Sequence, residues 1–172
     1  MLSNPFTIRW IVFISLYIII LGSILHFTYE LSDQNNFVAS FSATNESVWE
    51  HLKLLLYPTL LACLIQYGAI RSNNLGPGIL AGLLVGMFTI IFLFYGYVGA
   101  ISHPNSILVI DILIFIISGI LTAIISTYIF SKSPLEKYVQ LISWIGIVLL
   151  FIMFTVFTYK PPNVPILIPP PE

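Results

Sequence analysis

A chain of 172 residues that is 58% hydrophobic and only 8% charged lacks the polar surface of a soluble globular domain, in which about 25% of residues are charged. Its net charge of −1 excludes a nucleic-acid footprint, and its single Cys63 excludes an intrachain disulfide. Apolar runs of about twenty residues also exclude a transmembrane β-barrel, whose strands alternate in short pieces; in lipid such runs must be helices that satisfy their own backbone groups. The composition predicts an all-α, polytopic transmembrane bundle of five helices, a multi-pass protein of the cell membrane.

The chain reads as one transmembrane domain over residues 1–172, with helices predicted at about 8–30, 45–70, 76–99, 106–131 and 137–158 and an extended tail at 159–172. The first apolar run follows Arg9 and leads into Gly22-Ser23-Ile24-Leu25-His26. It has no Ala-x-Ala-like site, so it reads as a retained helix rather than a cleaved signal peptide. Its last turns carry His26 and Glu30, one helical turn apart on one face. Residues 31–44 form a Ser- and Asn-rich loop, with Phe37 and Phe41 spaced for a short helical turn or an interfacial segment. The stretch Asn45-Glu46-Ser47-Val48-Trp49-Glu50-His51-Leu52-Lys53 opens the second helix. Thr44 or Asn45 can serve as N-cap, and Ser47 with Glu50 repeats the Ser-x-x-Glu capping pattern. Helical spacing puts Glu46, Glu50 and Lys53 on one face. Further along, Pro58 leaves the Leu54 carbonyl without its helical donor.

Gly78, Gly82 and Gly86 recur on one stripe of the third helix, a small-xxx-small signature of close packing and a candidate homodimer face. That helix ends in Tyr95-Gly96-Tyr97-Val98-Gly99, an aromatic belt of the lipid–water boundary, and a short loop with His103 follows. The fourth helix carries Asp111 roughly 8 Å below its start. An ionisable side chain costs about 2.5–3.5 kcal/mol at the bilayer centre and less at this depth, so Asp111 needs a partner such as Tyr95, Tyr97 or a Thr of the fifth helix. Six prolines in the last twelve residues predict an extended tail.

Five spans place Arg9, Arg71, Lys132 and Lys137 on one side and Lys53 and Lys160 on the other. The positive-inside rule then puts the N-terminus in the cytoplasm and the C-terminus outside. The outer side gathers the candidate site. Glu46, Glu50, His51 and Asp111 are the candidate catalytic groups, and His26, Glu30 and His103 the candidate ligands of a divalent metal. The plain alternative for Glu46, Glu50 and His51 is a charged helix cap bridged to Lys53. No His-Glu-x-x-His, zinc-spaced Cys/His cluster, serine elbow or phosphate loop is present.

His26-Phe27-x-Tyr29-Glu30, Asn45-Glu46-Ser47-x-Trp49-Glu50-His51-x-Lys53, Tyr95-Gly96-Tyr97-x-Gly99 and Asp111-Ile112-x-Ile114-Phe115 resemble the motifs of domain-of-unknown-function family 6512, a bacterial family of small multi-spanning membrane proteins. The resemblance covers nearly the whole chain and implies an integral membrane protein without an assigned activity. The tail resembles the family in Pro161-Pro162 but departs after it. Asn163 stands where the family pattern has His, and Pro169-Pro170-Pro171-Glu172 replaces an Asp-Pro segment ending in Tyr-Gly.

The leading functional expectation is a membrane-embedded enzyme with an outward-facing Glu/His/Asp site, metal-dependent or acid–base, acting on a lipid-linked or small-molecule substrate. A cation, proton or small-solute transporter or channel is the second expectation, with Asp111 and the carboxylates lining a vestibule. The third is a non-catalytic accessory or immunity-type membrane protein. Beyond the lipid bilayer, the expected partners are such a substrate and a second copy packed through Gly78, Gly82 and Gly86, with no nucleic acid.

Overall fold

The computed structural model describes residues 5–101 and 107–169. The elements are α1 (Pro5–Leu31), α2 (Asn36–Ala39), α3 (Val48–Ile70), α4 (Leu75–Ile101), α5 (Leu108–Phe130) and α6 (Lys137–Tyr159), followed by a 3-10 turn at Pro165–Leu167. Among the described residues there is no strand. The five long helices are each apolar and long enough to cross a membrane. Twenty-three residues of helix rise about 35 Å, against a hydrocarbon core of about 30 Å.

Two elements differ from expectation for identifiable reasons. Helix α3 starts at Val48, because Ser47 has extended backbone angles (φ −70°, ψ 151°) and its Oγ accepts the Glu50 amide at 3.4 Å. The tail is not extended throughout. Pro165 opens the 3-10 turn, where its fixed φ is tolerated, and Leu167 is buried in the main core against α3. The short helical turn expected near Phe37 and Phe41 is α2, and their rings meet edge-on at 5.6 Å.

The bundle carries apolar side chains outward and buries polar ones beside its apolar core. Phe88 and Phe92 of α4 and Leu141 of α6 are more than half exposed, as a lipid-facing surface requires. Thr59, Gln66, Ser118, Thr122 and Ser126 are fully buried between α3, α4 and α5. Lipid removes the hydrophobic drive for helix association, so small residues and interhelical hydrogen bonds must supply it. The glycine stripe of α4 does this within the chain. A Cβ on Gly82 would lie 2.0 Å from Ser126 Oγ and 2.8 Å from the Thr122 carbonyl, and one on Gly86 would lie 2.1 Å from Thr122 Oγ1. Gly78 is equally close to Phe130. These three glycines are therefore covered by α5, which corrects the expectation that they form a homodimer face. At the end of the bundle away from α2, Asn74 ties two turns together. Its Nδ2 donates to the carbonyls of Ile129, Lys132 and Ser133, and its Oδ1 accepts the Leu135 amide at 2.9 Å.

Candidate metal site and cavity

The start of α3 is built by local hydrogen bonds that also aim its functional side chains. Asn45 Oδ1 accepts the Ser47 amide at 2.9 Å, which turns the chain into the helix. With Ser47 as N-cap, Glu46 occupies N′ and His51 occupies N4. Those two positions are the ones a hydrophobic staple brings together. Here they hold a carboxylate and an imidazole instead, with Glu46 Oε2 3.6 Å from His51 Nε2. Because Glu46 precedes the helix, the expected shared face with Glu50 does not form.

His26 joins this pair from α1. Its Nε2 lies 3.3 Å from His51 Nε2 and 3.5 Å from Glu46 Oε2. His51 Nδ1 sits 2.9 Å from the Ser47 carbonyl. A carbonyl only accepts, so Nδ1 carries a proton, and Nε2 is the ring nitrogen that faces the other two groups. The two rings are half-buried, and the Glu46 carboxylate is 63% exposed, open to solvent. Among the described residues, this trio is a group of three potential ligand atoms that all lie within 4.8 Å of one another.

Ser42 holds the His26 turn in place. Its buried hydroxyl donates to the Leu25 carbonyl and accepts the Tyr29 amide at 2.9 Å and the Thr28 hydroxyl at 3.0 Å. The loop is anchored a second time through Glu50. Glu50 and Lys53 form an ion pair at 2.7 Å, with side chains 2% and 0% exposed. The Glu50 carboxylate also accepts the Thr44 amide at 2.9 Å and the hydroxyls of Thr44 and Thr158. Lys53 Nζ donates to the Ala39 carbonyl at 2.7 Å and to Thr158 Oγ1 at 2.8 Å. One buried pair thus fastens the loop bearing Glu46 and the end of α6 to α3.

Below the trio lies a cavity of about 530 Å³. Its apolar walls include Ile19 and Gly22 of α1, Leu54 of α3, Ile90 and Phe94 of α4, and Phe115 of α5. His26, Glu46 and His51 form its polar end, and Asp111 lines the same space from α5. Asp111 Oδ1 accepts the Tyr97 hydroxyl at 2.5 Å, in the range of a charge-assisted hydrogen bond. Tyr97 is thus the hydrogen-bond partner of Asp111, which stands in the first turn of α5. Pro58, which cannot bond the Leu54 carbonyl, leaves that oxygen where a Cβ on Gly22 would lie at 2.9 Å. A side chain at Gly22 would also meet Phe115 at 2.5 Å, so glycine lets α1 and α5 approach closely there.

The candidate residues divide into groups. His26, Glu46 and His51 come together, Asp111 faces the same cavity, and Glu50 is absorbed by Lys53, Thr44 and Thr158. Glu30 is exposed and lines a separate hollow of about 100 Å³ with His26 and Glu46. His103 lies outside the described residues. The pattern of a family of unknown function, DUF6512, matches residues 2–169. The chain belongs to the DUF6512 family. No curated protein and no solved structure matches it. In this DUF6512 chain the stretches that carried the resemblance supply all three members of the trio and the Tyr97–Asp111 pair. Ser42 and Thr158, which help to position them, were not singled out from the sequence, and Thr44 was read there only as a candidate N-cap. Isolated hydroxyls in a Ser-rich loop and at a helix end carry no pattern that separates a strut from a solvated side chain.

Proposed function

We propose that this protein is a membrane-embedded, metal-dependent enzyme in which His26, Glu46 and His51 hold one divalent ion and Asp111 serves as the acid–base group. The observation that carries this reading is the spacing of the three ligand atoms, 3.3, 3.5 and 3.6 Å apart. Tetrahedral coordination at about 2.1 Å per bond places neighbouring ligand atoms about 3.4 Å apart. Three protein ligands leave a fourth position for water or substrate, the arrangement of catalytic rather than structural zinc sites. The bond from His51 Nδ1 to the Ser47 carbonyl supplies the outer hydrogen bond that fixes a ligating imidazole. An ion here would make bound water a nucleophile near neutral pH and polarise a substrate oxygen. Asp111, which lines the same cavity, would act as the acid–base group toward such a water and a leaving oxygen.

Glu50 takes a structural role in this reading, because both its oxygens are already engaged. The carboxylates and imidazoles of α1, α3 and α5 gather at one end of the bundle, which favours a reaction centre near the membrane surface over a charged path through it. We place this end outside the cytoplasm, on the distribution of Arg9, Arg71, Lys132 and Lys137 at the opposite end.

Elemental analysis of the detergent-purified protein tests the proposal. Wild type is expected to carry close to one transition-metal ion per chain. His26→Ala, His51→Ala and Glu46→Gln should each lose it, whereas Asp111→Asn should keep it. A wild-type protein free of metal after purification without chelators and challenge with added zinc would overturn the reading.

A further inference from the structure

We infer that the cavity beneath the trio receives the apolar chain of a single-chain anionic lipid, which reaches the site laterally from the bilayer between α1 and α5. The metal reading above enters in placing the headgroup at the trio and in giving that headgroup a negative charge.

The chemistry of the walls is graded along the membrane normal. Ile19, Gly22, Ser23 and His26 all line the cavity and fall on one face of α1. From His26 to Ile19 the helix descends about 10 Å. One leaflet of a hydrocarbon core about 30 Å thick is about 15 Å deep. The cavity therefore starts at headgroup level with imidazole and carboxylate and continues into one leaflet with apolar walls. Its volume, about 530 Å³, lies within the range of sites that enclose a small ligand.

The rim shows how a ligand reaches it. Phe27 of α1 and Leu108 and Ile112 of α5 line the cavity and are 58%, 72% and 50% exposed. Phe27 and Leu108 stand near the ends of their helices, level with the headgroups, and Ile112, one turn deeper in α5, is the rim residue that meets acyl chains. A water-soluble molecule would have to shed its hydration to pass this rim, whereas a lipid chain already resides there. At the polar end, two neutral imidazoles, one carboxylate and a divalent ion sum to a single positive charge. That charge complements a phosphate or carboxylate headgroup, whose oxygens also suit the open coordination position.

The test uses the full-length protein in phosphatidylcholine nanodiscs, with lysophosphatidic acid bearing a photoactivatable diazirine midway along its chain. The expected result is saturable labelling, mapped to the cavity-facing peptides of α1 and α5 and displaced by unlabelled lysophosphatidic acid. Ile112→Trp and Ser23→Phe, both at exposed rim positions, should reduce labelling at least tenfold while leaving the metal content at the wild-type level. Labelling spread over the outer faces, at Phe88 and Phe92 for example, and insensitive to both substitutions would overturn the inference. Metal analysis of the same samples separates the two readings. Metal retained without saturable labelling sinks the lipid site alone. Saturable, Trp-sensitive labelling of a metal-free protein upholds the chain site and overturns the metal centre.

Discussion

At the scale of single residues, neighbouring acidic groups take opposite roles because of where the helix begins. Glu46 precedes the N-cap and is exposed beside His51, whereas Glu50, inside the first turn, is buried on Lys53. Removing one member of a buried ion pair strands the other charge in low dielectric. Lys53→Ala is therefore expected to lower stability by about 3–5 kcal/mol, and Lys53→Met combined with Glu50→Gln to recover much of that loss. Thermal unfolding in detergent reads both, and equal stability of the single and double variants would refute the coupling. Ser42→Ala removes the hydroxyl between Leu25 and Tyr29. A buried group left unpaired costs about 1–3 kcal/mol, so this variant should lose thermal stability and hold metal more weakly than wild type. Proton competition supplies a further check. An imidazole must be deprotonated to ligate, so metal bound to the wild-type protein should be released as the pH is lowered. How far the site was legible is also clear at this scale. The trio's residue types were visible as candidates, but their grouping depended on an N-cap at Ser47 rather than at Thr44 or Asn45.

At the scale of elements, the contact of α4 with α5 sets how closely the bundle closes. Gly82 faces Ser126 Oγ and the Thr122 carbonyl, while a Cβ on Gly96 would meet nothing within 4 Å. Gly82→Leu should thus overpack the interface and destabilise by about 1–3 kcal/mol or more. Gly96→Ala, in a helix with free space, should stabilise by up to about 1 kcal/mol. Differential scanning fluorimetry of the pair measures the contrast. The stripe itself was readable from its spacing. Its partner was not, since the same small-xxx-small pattern serves a neighbouring helix of one chain or a second copy equally well. The α4–α5 contact decides for the neighbour.

At the scale of the whole molecule, the alternation of five spans gathers the 32–47 loop, the start of α5 and the end of α6 at one end, with Asn74 binding the turns at the other. That end is expected to face outward. Single cysteines introduced at Asn45 and Asn163 should react with a membrane-impermeant maleimide on intact cells, and one at Ser133 only after lysis; Cys63 is fully buried and stays silent. The reverse pattern would turn the site toward the cytoplasm without altering the bundle.

The sequence by itself determined the helical class, the five spans and the identity of the polar residues at one end. Uninterrupted apolar runs leave lipid-embedded backbone no other way to satisfy its hydrogen bonds. Only the tertiary structure decided which of those polar residues meet. His26 and His51 are separated by the last turn of α1, the whole 32–47 loop and the start of α3, and a rotation of α1 or a shift of the α3 cap would part them. Their approach to 3.3 Å depends on Ser42, Thr44 and the buried Glu50–Lys53 pair acting across α1, the loop and α6. Such contacts are set by three-dimensional packing, which local periodicity does not encode.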